Sequence, residues 1–188
     1  IHSKRYFLDD TDGGDARVIE SLRPAAAVAV CLMAAALILL FGNRIHRNLR
    51  EAISVIAAIC AAGLIFSMAP AVAAGHVYEA RLWQIAEGIK LGFRTDAAGM
   101  VFACIASFLW ILTSVYSIGY MRGHHEKNQT GYFAAFAVCV GSALGIALAA
   151  NLMTFFIFYE MLTIATYPLV AHYRNDAAKQ SGRKYLTY

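Results

Sequence analysis

The stretch Leu152–His172 reads LMTFFIFYEMLTIATYPLVAH. A helix needs roughly 20 apolar residues to cross a hydrocarbon core of about 30 Å, and this run supplies them. Glu160 interrupts it. At about 1.5 Å per residue its position lies some 12 Å from Leu152, near the midplane of a bilayer that the helix would span. An ionised side chain there costs about 2.5–3.5 kcal/mol on insertion scales, so Glu160 must face protein, water or a cationic partner.

The rest of the chain says that a bilayer is there. Of its 188 residues, 60% are hydrophobic and 15% charged, with a mean hydropathy of +0.55, whereas about a quarter of the residues of soluble domains are charged. Apolar segments recur at Pro24–Phe41, Ala52–Ala74, Ala97–Tyr120, Tyr132–Ala150 and Leu152–Ala171. A soluble fold could enclose one of them, but this many leave no amphipathic helices for an outer layer. The expected fold is all-α, a polytopic transmembrane protein with five complete spans and the start of a sixth at about Lys184. Residues 1–23 form a polar tail and residues 24–188 the membrane part. The first span is too far into the chain, and too closely followed by others, for a cleaved signal peptide. The absence of an initial Met and the ending GRKYLTY (Gly182–Tyr188) read as a fragment cut at both ends.

The connections set the orientation. Gly42–Glu51, Met121–Gly131 and the stretch after Ala171 carry Arg44, Arg47, Arg50, Arg122, Lys127, Arg174, Lys179, Arg183 and Lys184. On the opposite side lie Arg81, Lys90 and Arg94, together with Lys4, Arg5, Arg17 and Arg23 of the tail. Cytoplasmic loops are enriched in Lys and Arg, so the first set is expected inside and the amino terminus outside. Partial alternation in Tyr78–Asp96 around Glu87-Gly88 suggests a short external β-hairpin, with an irregular loop as the alternative. Ala149–Asn151 reads as a tight turn between spans four and five. The Asp- and Gly-rich tail reads as loop; Asp9, Asp10, Asp12 and Asp15 lack the final Glu of a calcium-binding EF-hand.

Among the other polar features, Cys31, Cys60, Cys104 and Cys139 fall in separate spans without paired spacing and read as packing residues. His124-His125 has no metal-ligand spacing. Gly141 and Gly145 form GxxxG, a signature of close helix contact. Neither nucleotide, haem nor iron–sulfur motifs are evident, so no cofactor, metal or nucleic-acid partner is expected. Glu160 stands apart as a charge deep inside a span, and intramembrane ionisable residues mark proton and ion paths. Helical spacing places Thr163 and Tyr167 on its side of the helix, leading toward His172. The competing reading is a scaffold in which Glu160 fixes helix register through one hydrogen bond.

The segments WILTSVYSIGYMRG (Trp110–Gly123), EKNQTGYF (Glu126–Phe133), AANLMTFFIFYEMLTIATYPLVAH (Ala149–His172) and GRKYLTY, with NLREA (Asn48–Ala52) and FRTDAAGM (Phe93–Met100), carry a resemblance. From about Leu22 to Tyr188 the chain resembles the antiporter-like membrane subunits shared by Mrp-type multisubunit Na⁺/H⁺ antiporters and respiratory complex I, and among them it looks closest to the Mrp D-type proteins. The resemblance implies that Glu160 is the acid of the family's fifth helix, which pairs with a lysine on a later, broken helix and shuttles protons; no lysine lies inside a span of this chain. It implies an external amino terminus and hairpin, a place in the bacterial inner (cytoplasmic) membrane, and other integral membrane subunits, protons and Na⁺ as partners. The implied function is a cation/proton antiporter subunit with Glu160 as proton relay, supported by Thr163, Tyr167 and His172, and no redox site of its own. The alternative is a proton-pumping subunit of a complex I-like NADH-quinone oxidoreductase or membrane-bound hydrogenase.

Overall fold

A computed structural model describes residues 17–86, 89–124 and 129–170, those at 83–86 and 89–90 by their backbone alone. Its elements run β1 (Val18–Glu20), α1 (Arg23–Phe41), α2 (Arg47–Ala73), β2 (Val77–Ala86), β3 (Ile89–Arg94), α3 (Ala97–Gly123), α4 (Gln129–Ala147) and α5 (Leu152–Val170). All five helices are long and apolar enough to cross a membrane, and the protein is an integral membrane protein. The expected start of a sixth span lies outside the described residues.

Local chemistry sets the helix ends. Pro24 stands in the first turn of α1, where its missing N–H costs nothing. His46 caps α2, its Nδ1 accepting from the Asn48 N–H at 3.4 Å, and Asp96 caps α3, its Oδ1 accepting from Gly99 N–H at 2.6 Å. Gly75, at φ +86°, takes the left-handed turn just past α2 that a side chain would resist. Asn151 Oδ1 accepts from both the N–H and the hydroxyl of Thr154, at 2.8 and 3.0 Å, and so starts α5.

Helix α4 is the hub. It packs against α1, α3 and α5, while α2 lies between α1 and α3. Within their apolar windows, α4 is 56% buried and α5 only 11%, so α5 is the outermost helix. The GxxxG pair serves two partners: a β-carbon at Gly141 would press on Cys31 and Leu32 of α1, and one at Gly145 would overlap the Phe158 ring of α5. Cys31 is buried at this crossing, and its thiol donates to the Ala27 carbonyl at 3.2 Å; all four cysteines are free.

The expected hairpin is present as antiparallel β2 and β3, with register shifts near Arg81–Trp83 and Gln84–Ala86. The tail contributes more than a loop, because β1 pairs parallel to β2, Val18 opposite Val77. That pairing depends on a partner far along the chain, which local composition does not reveal. On the exposed face Glu79 holds the Arg81 guanidinium above its ordinary range through a 3.0 Å ion pair, an arrangement that contributes little to stability. The tight turn after α4 is laid on this sheet. Arg94 N–H donates to Leu148 O at 2.8 Å and Ala150 N–H to Gly92 O at 3.0 Å, with an antiparallel bridge between Phe93 and Ala149. Gly92 N–H also reaches Thr154 Oγ1 at 3.2 Å, and Phe93 meets Phe158 with ring centroids 5.6 Å apart. The hairpin thereby fixes the start of α5, and with it the position of Glu160.

Three helices have bounds other than those of the expected spans. Helix α2 begins at Arg47 rather than Ala52, α3 runs to Gly123 rather than Tyr120, and α4 covers Gln129–Ala147 rather than Tyr132–Ala150. The cause is the same at the first two: charged residues continue the helix because they find partners across the bundle.

Candidate functional site

Helix α5 presents Glu160 to a groove of about 850 Å³ between α5, α4 and the end of α1. Met153, Phe156, Ile157, Met161, Ile164 and Pro168 line it from α5, Thr130, Gly131, Ala134, Ala135 and Val138 from α4, and Leu39 and Asn43 from the end of α1 and its following turn. These α5 positions recur at three- and four-residue steps, one stripe of the helix. Glu160 is exposed in this structure, and none of the described residues offers it a hydrogen bond or ion pair. The carboxyl lies mid-helix, as expected, and among the described residues it opens outward, because α5 is the edge of the bundle.

Pro168 adds to the groove's chemistry. It has no N–H to give the carbonyl of Ile164, four residues back, and both residues line the groove. The polar side chains of the lining are those of Glu160, Thr130 and Asn43.

The supporting residues expected from spacing are placed differently. Thr163 is half-buried, and its hydroxyl donates to the Tyr159 carbonyl of its own helix at 3.1 Å. Tyr167 is also half-buried. Neither lines the Glu160 groove; Ile164, one residue beyond Thr163, takes that place. His172 lies outside the described residues.

A second constellation reads in the sequence only as topogenic loop charge. At the start of α2, Glu51 is 2% exposed. Arg122, at the end of α3, clasps it: its Nε donates to Oε1 and Oε2 at 3.3 and 3.1 Å, and its Nη2 to Oε2 as well as to Asn48 Oδ1, the latter at 2.9 Å. Arg47 Nε lies 3.8 Å from Glu51 Oε1. Beside them Arg50 donates to Thr130 Oγ1 at 3.0 Å and Gln129 Oε1 at 2.7 Å, and Gln129 Nε2 donates to the Met121 carbonyl at 3.2 Å. This network ties α2, α3 and α4 at one end of the bundle, opposite the sheet. The signal is present in NLREA, where two adjacent charges sit in register with the apolar run that follows. Thr130 and Asn43 line both the cleft beside Arg50 and the groove of Glu160, so the two sites adjoin.

Comparison with known proteins agrees with this architecture. A family model described as the N-terminus of chain 5 of NADH-ubiquinone oxidoreductase (complex I) matches residues 83–133. The putative antiporter subunit mnhA2 of Staphylococcus haemolyticus is 26% identical over 131 residues, covering 69% of this chain and 16% of the relative. NAD(P)H-quinone oxidoreductase subunit 5 of the Paulinella chromatophora chromatophore is 29% identical over 100 residues, 52% of this chain and 15% of the relative. The chain thus spans about one sixth of the length of these curated relatives. A structure of an archaeal membrane-bound sulfane sulfur reductase shares the fold, with a TM-score of 0.74 over 89% of this chain and 34% of the other, at 15% identity. The relatives are A-type antiporter proteins and quinone oxidoreductase subunit 5, and the narrower expectation of a D-type protein is not supported.

Proposed function

From its homology to the antiporter-like membrane subunits shared by Mrp-type antiporters and complex I, we propose that this chain is part of a proton-translocating subunit of a multisubunit monovalent cation/proton antiporter, with Glu160 as its proton-carrying acid. The observation that carries the reading is the placement of Glu160: a mid-span carboxyl, opening to a groove of about 850 Å³, with no partner among the described residues. An ionisable group held at that depth calls for protein, water or a cation against it. Further helices and subunits of the assembly close the groove, and the partner of Glu160 comes from them.

In this mechanism desolvation favours the protonated acid and an approaching positive charge favours the carboxylate. A cation moving up to and away from Glu160 therefore drives its uptake and release of a proton. Thr130, Asn43 and the Ile164 carbonyl support water beside it. Thr163 and Tyr167 border the stripe, and they and His172 take secondary roles in hydration.

The second reading is a proton-pumping subunit of a complex I-like oxidoreductase, favoured by the family match over residues 83–133. It uses the same acid but draws its energy from redox subunits. Purifying the native assembly and measuring proton flux in everted vesicles separates the two. Sodium- or potassium-driven flux without an electron donor supports the antiporter; flux only on addition of a donor and quinone supports the oxidoreductase. Flux that is the same with Glu160→Gln as with the native residue leaves Glu160 a structural residue under either heading.

A further inference from the structure

We propose that the cleft at the arginine-bearing end of the bundle is a binding site for a phosphate group, of the kind carried by anionic lipid headgroups and by free phosphate. The cleft is about 380 Å³, and its lining includes Asn43 of the α1–α2 turn, Arg47 and Arg50 of α2, and Gln129 and Thr130 of α4.

Arg50 carries the inference. It is 8% exposed, yet its two hydrogen bonds go to the neutral oxygens of Thr130 and Gln129. Its Nε is buried with no partner. The one carboxylate next to it in sequence, Glu51, is engaged by Arg122 and Arg47, and no carboxylate among the described residues forms an ion pair with Arg50. The Glu51 charge acts on it only through space, and a Phe133 ring lies 6.0 Å from its guanidinium carbon. A buried cation is ordinarily paired with an anion or its charge is strongly penalised. Here no carboxylate of the described residues pairs with the charge, and a polar cleft stands beside it.

Two further features converge on the same place. Helices α2 and α4 both begin at the cleft, and the N–H groups of helix starts favour anions, phosphates above all. Arg47 adds a second guanidinium to the lining, largely exposed and paired with Glu51 only at 3.8 Å. Arginine forks match phosphate oxygens in a way that a point charge does not. The site lies at the polar end of helices long and apolar enough to cross a membrane, and basic pockets between membrane helices bind lipid headgroups. The inference does not depend on the role of Glu160.

The test is thermal unfolding of the delipidated native assembly in detergent, titrated with phosphatidylglycerol, phosphatidylcholine or inorganic phosphate. Arg50→Gln removes a buried partner of two side chains and risks misfolding, so Arg47→Gln, on an exposed side chain, decides. Arg44→Gln, an exposed arginine in the neighbouring turn outside the cleft, controls for general charge. Saturable protection by phosphatidylglycerol but not phosphatidylcholine is expected, with apparent affinity falling about ten-fold in Arg47→Gln and little in Arg44→Gln. Equal protection by inorganic phosphate, with the same dependence on Arg47, keeps the site and makes free phosphate its source. Absence of saturable protection by either, or equal loss in Arg44→Gln and Arg47→Gln, overturns the proposal.

Discussion

Replacing Gly145 by Ala tests whether the contact that seats α5 on α4 is as close as the structure shows. A β-carbon there would overlap the Phe158 ring at three of its atoms. Phe158 cannot simply turn aside, because it is 6% exposed and its other side meets Phe93. Forcing an extra carbon into such a contact costs about 1–3 kcal/mol, while exchanging Gly for Ala inside a helix recovers about 0.5–1 kcal/mol. The expected net is a loss of up to roughly 2.5 kcal/mol, and relative to Gly63→Ala a loss of about 1–3 kcal/mol. Gly63→Ala on α2 is the internal standard, since a β-carbon there meets nothing within 4 Å and only the helix-propensity gain remains. The assay is reversible unfolding of the full-length subunit in mixed micelles, comparing the two variants with native protein. Combining Gly145→Ala with Phe158→Ala should cost less than the sum of the two by at least about 0.5 kcal/mol. A Gly145→Ala protein as stable as Gly63→Ala would refute the packing. Because Glu160 rides on α5, the destabilised variant should also lose cation-driven proton flux.

Other outcomes follow from the same contacts. Thr154→Val strips the Gly92 N–H of its side-chain acceptor and α5 of a capping contact; it should cost about 1–3 kcal/mol, seen as faster proteolysis within the hairpin. Glu51→Gln and Arg122→Gln should each lower the yield of assembled protein, measured by blot of the purified complex. Arg122→Gln should do so more severely, because it leaves a carboxylate that is 2% exposed without its main partner, and the double variant should recover part of the loss. In a cysteine-free background, Asn43→Cys should resist an impermeant thiol reagent in intact cells while Leu82→Cys, on the exposed β2 strand, reacts; the reverse would invert the expected orientation.

Much of the architecture can be read from hydropathy, because each span answers to the bilayer by itself. The hairpin also answers to a local cue, Glu87-Gly88 between alternating segments. What is not legible depends on partners distant in sequence. Charges at Arg50 and Glu51 read as loop until Gln129, Thr130 and Arg122 are seen beside them. Strand β1 needs β2, and the split service of Gly141 and Gly145 needs α1 and α5 to cross one face of α4 a turn apart. At the candidate site Glu160 stands out from composition alone. Its neighbours do so only in part, since a helical wheel places Thr163, Ile164 and Tyr167 alike on its side, and the packing of α4 selects Ile164 with Pro168 and Thr130.

The central claim is that Glu160 carries protons. The most direct measurement is proton movement in everted vesicles holding the full-length subunit with its partners, on a step of sodium or potassium, for native protein, Glu160→Gln and Glu160→Asp at matched expression. Flux abolished in Glu160→Gln and partly kept in Glu160→Asp is the result predicted, because only the aspartate can still bind and release a proton. Undiminished flux in Glu160→Gln would contradict the account and leave Glu160 as a residue that only holds its helix in place.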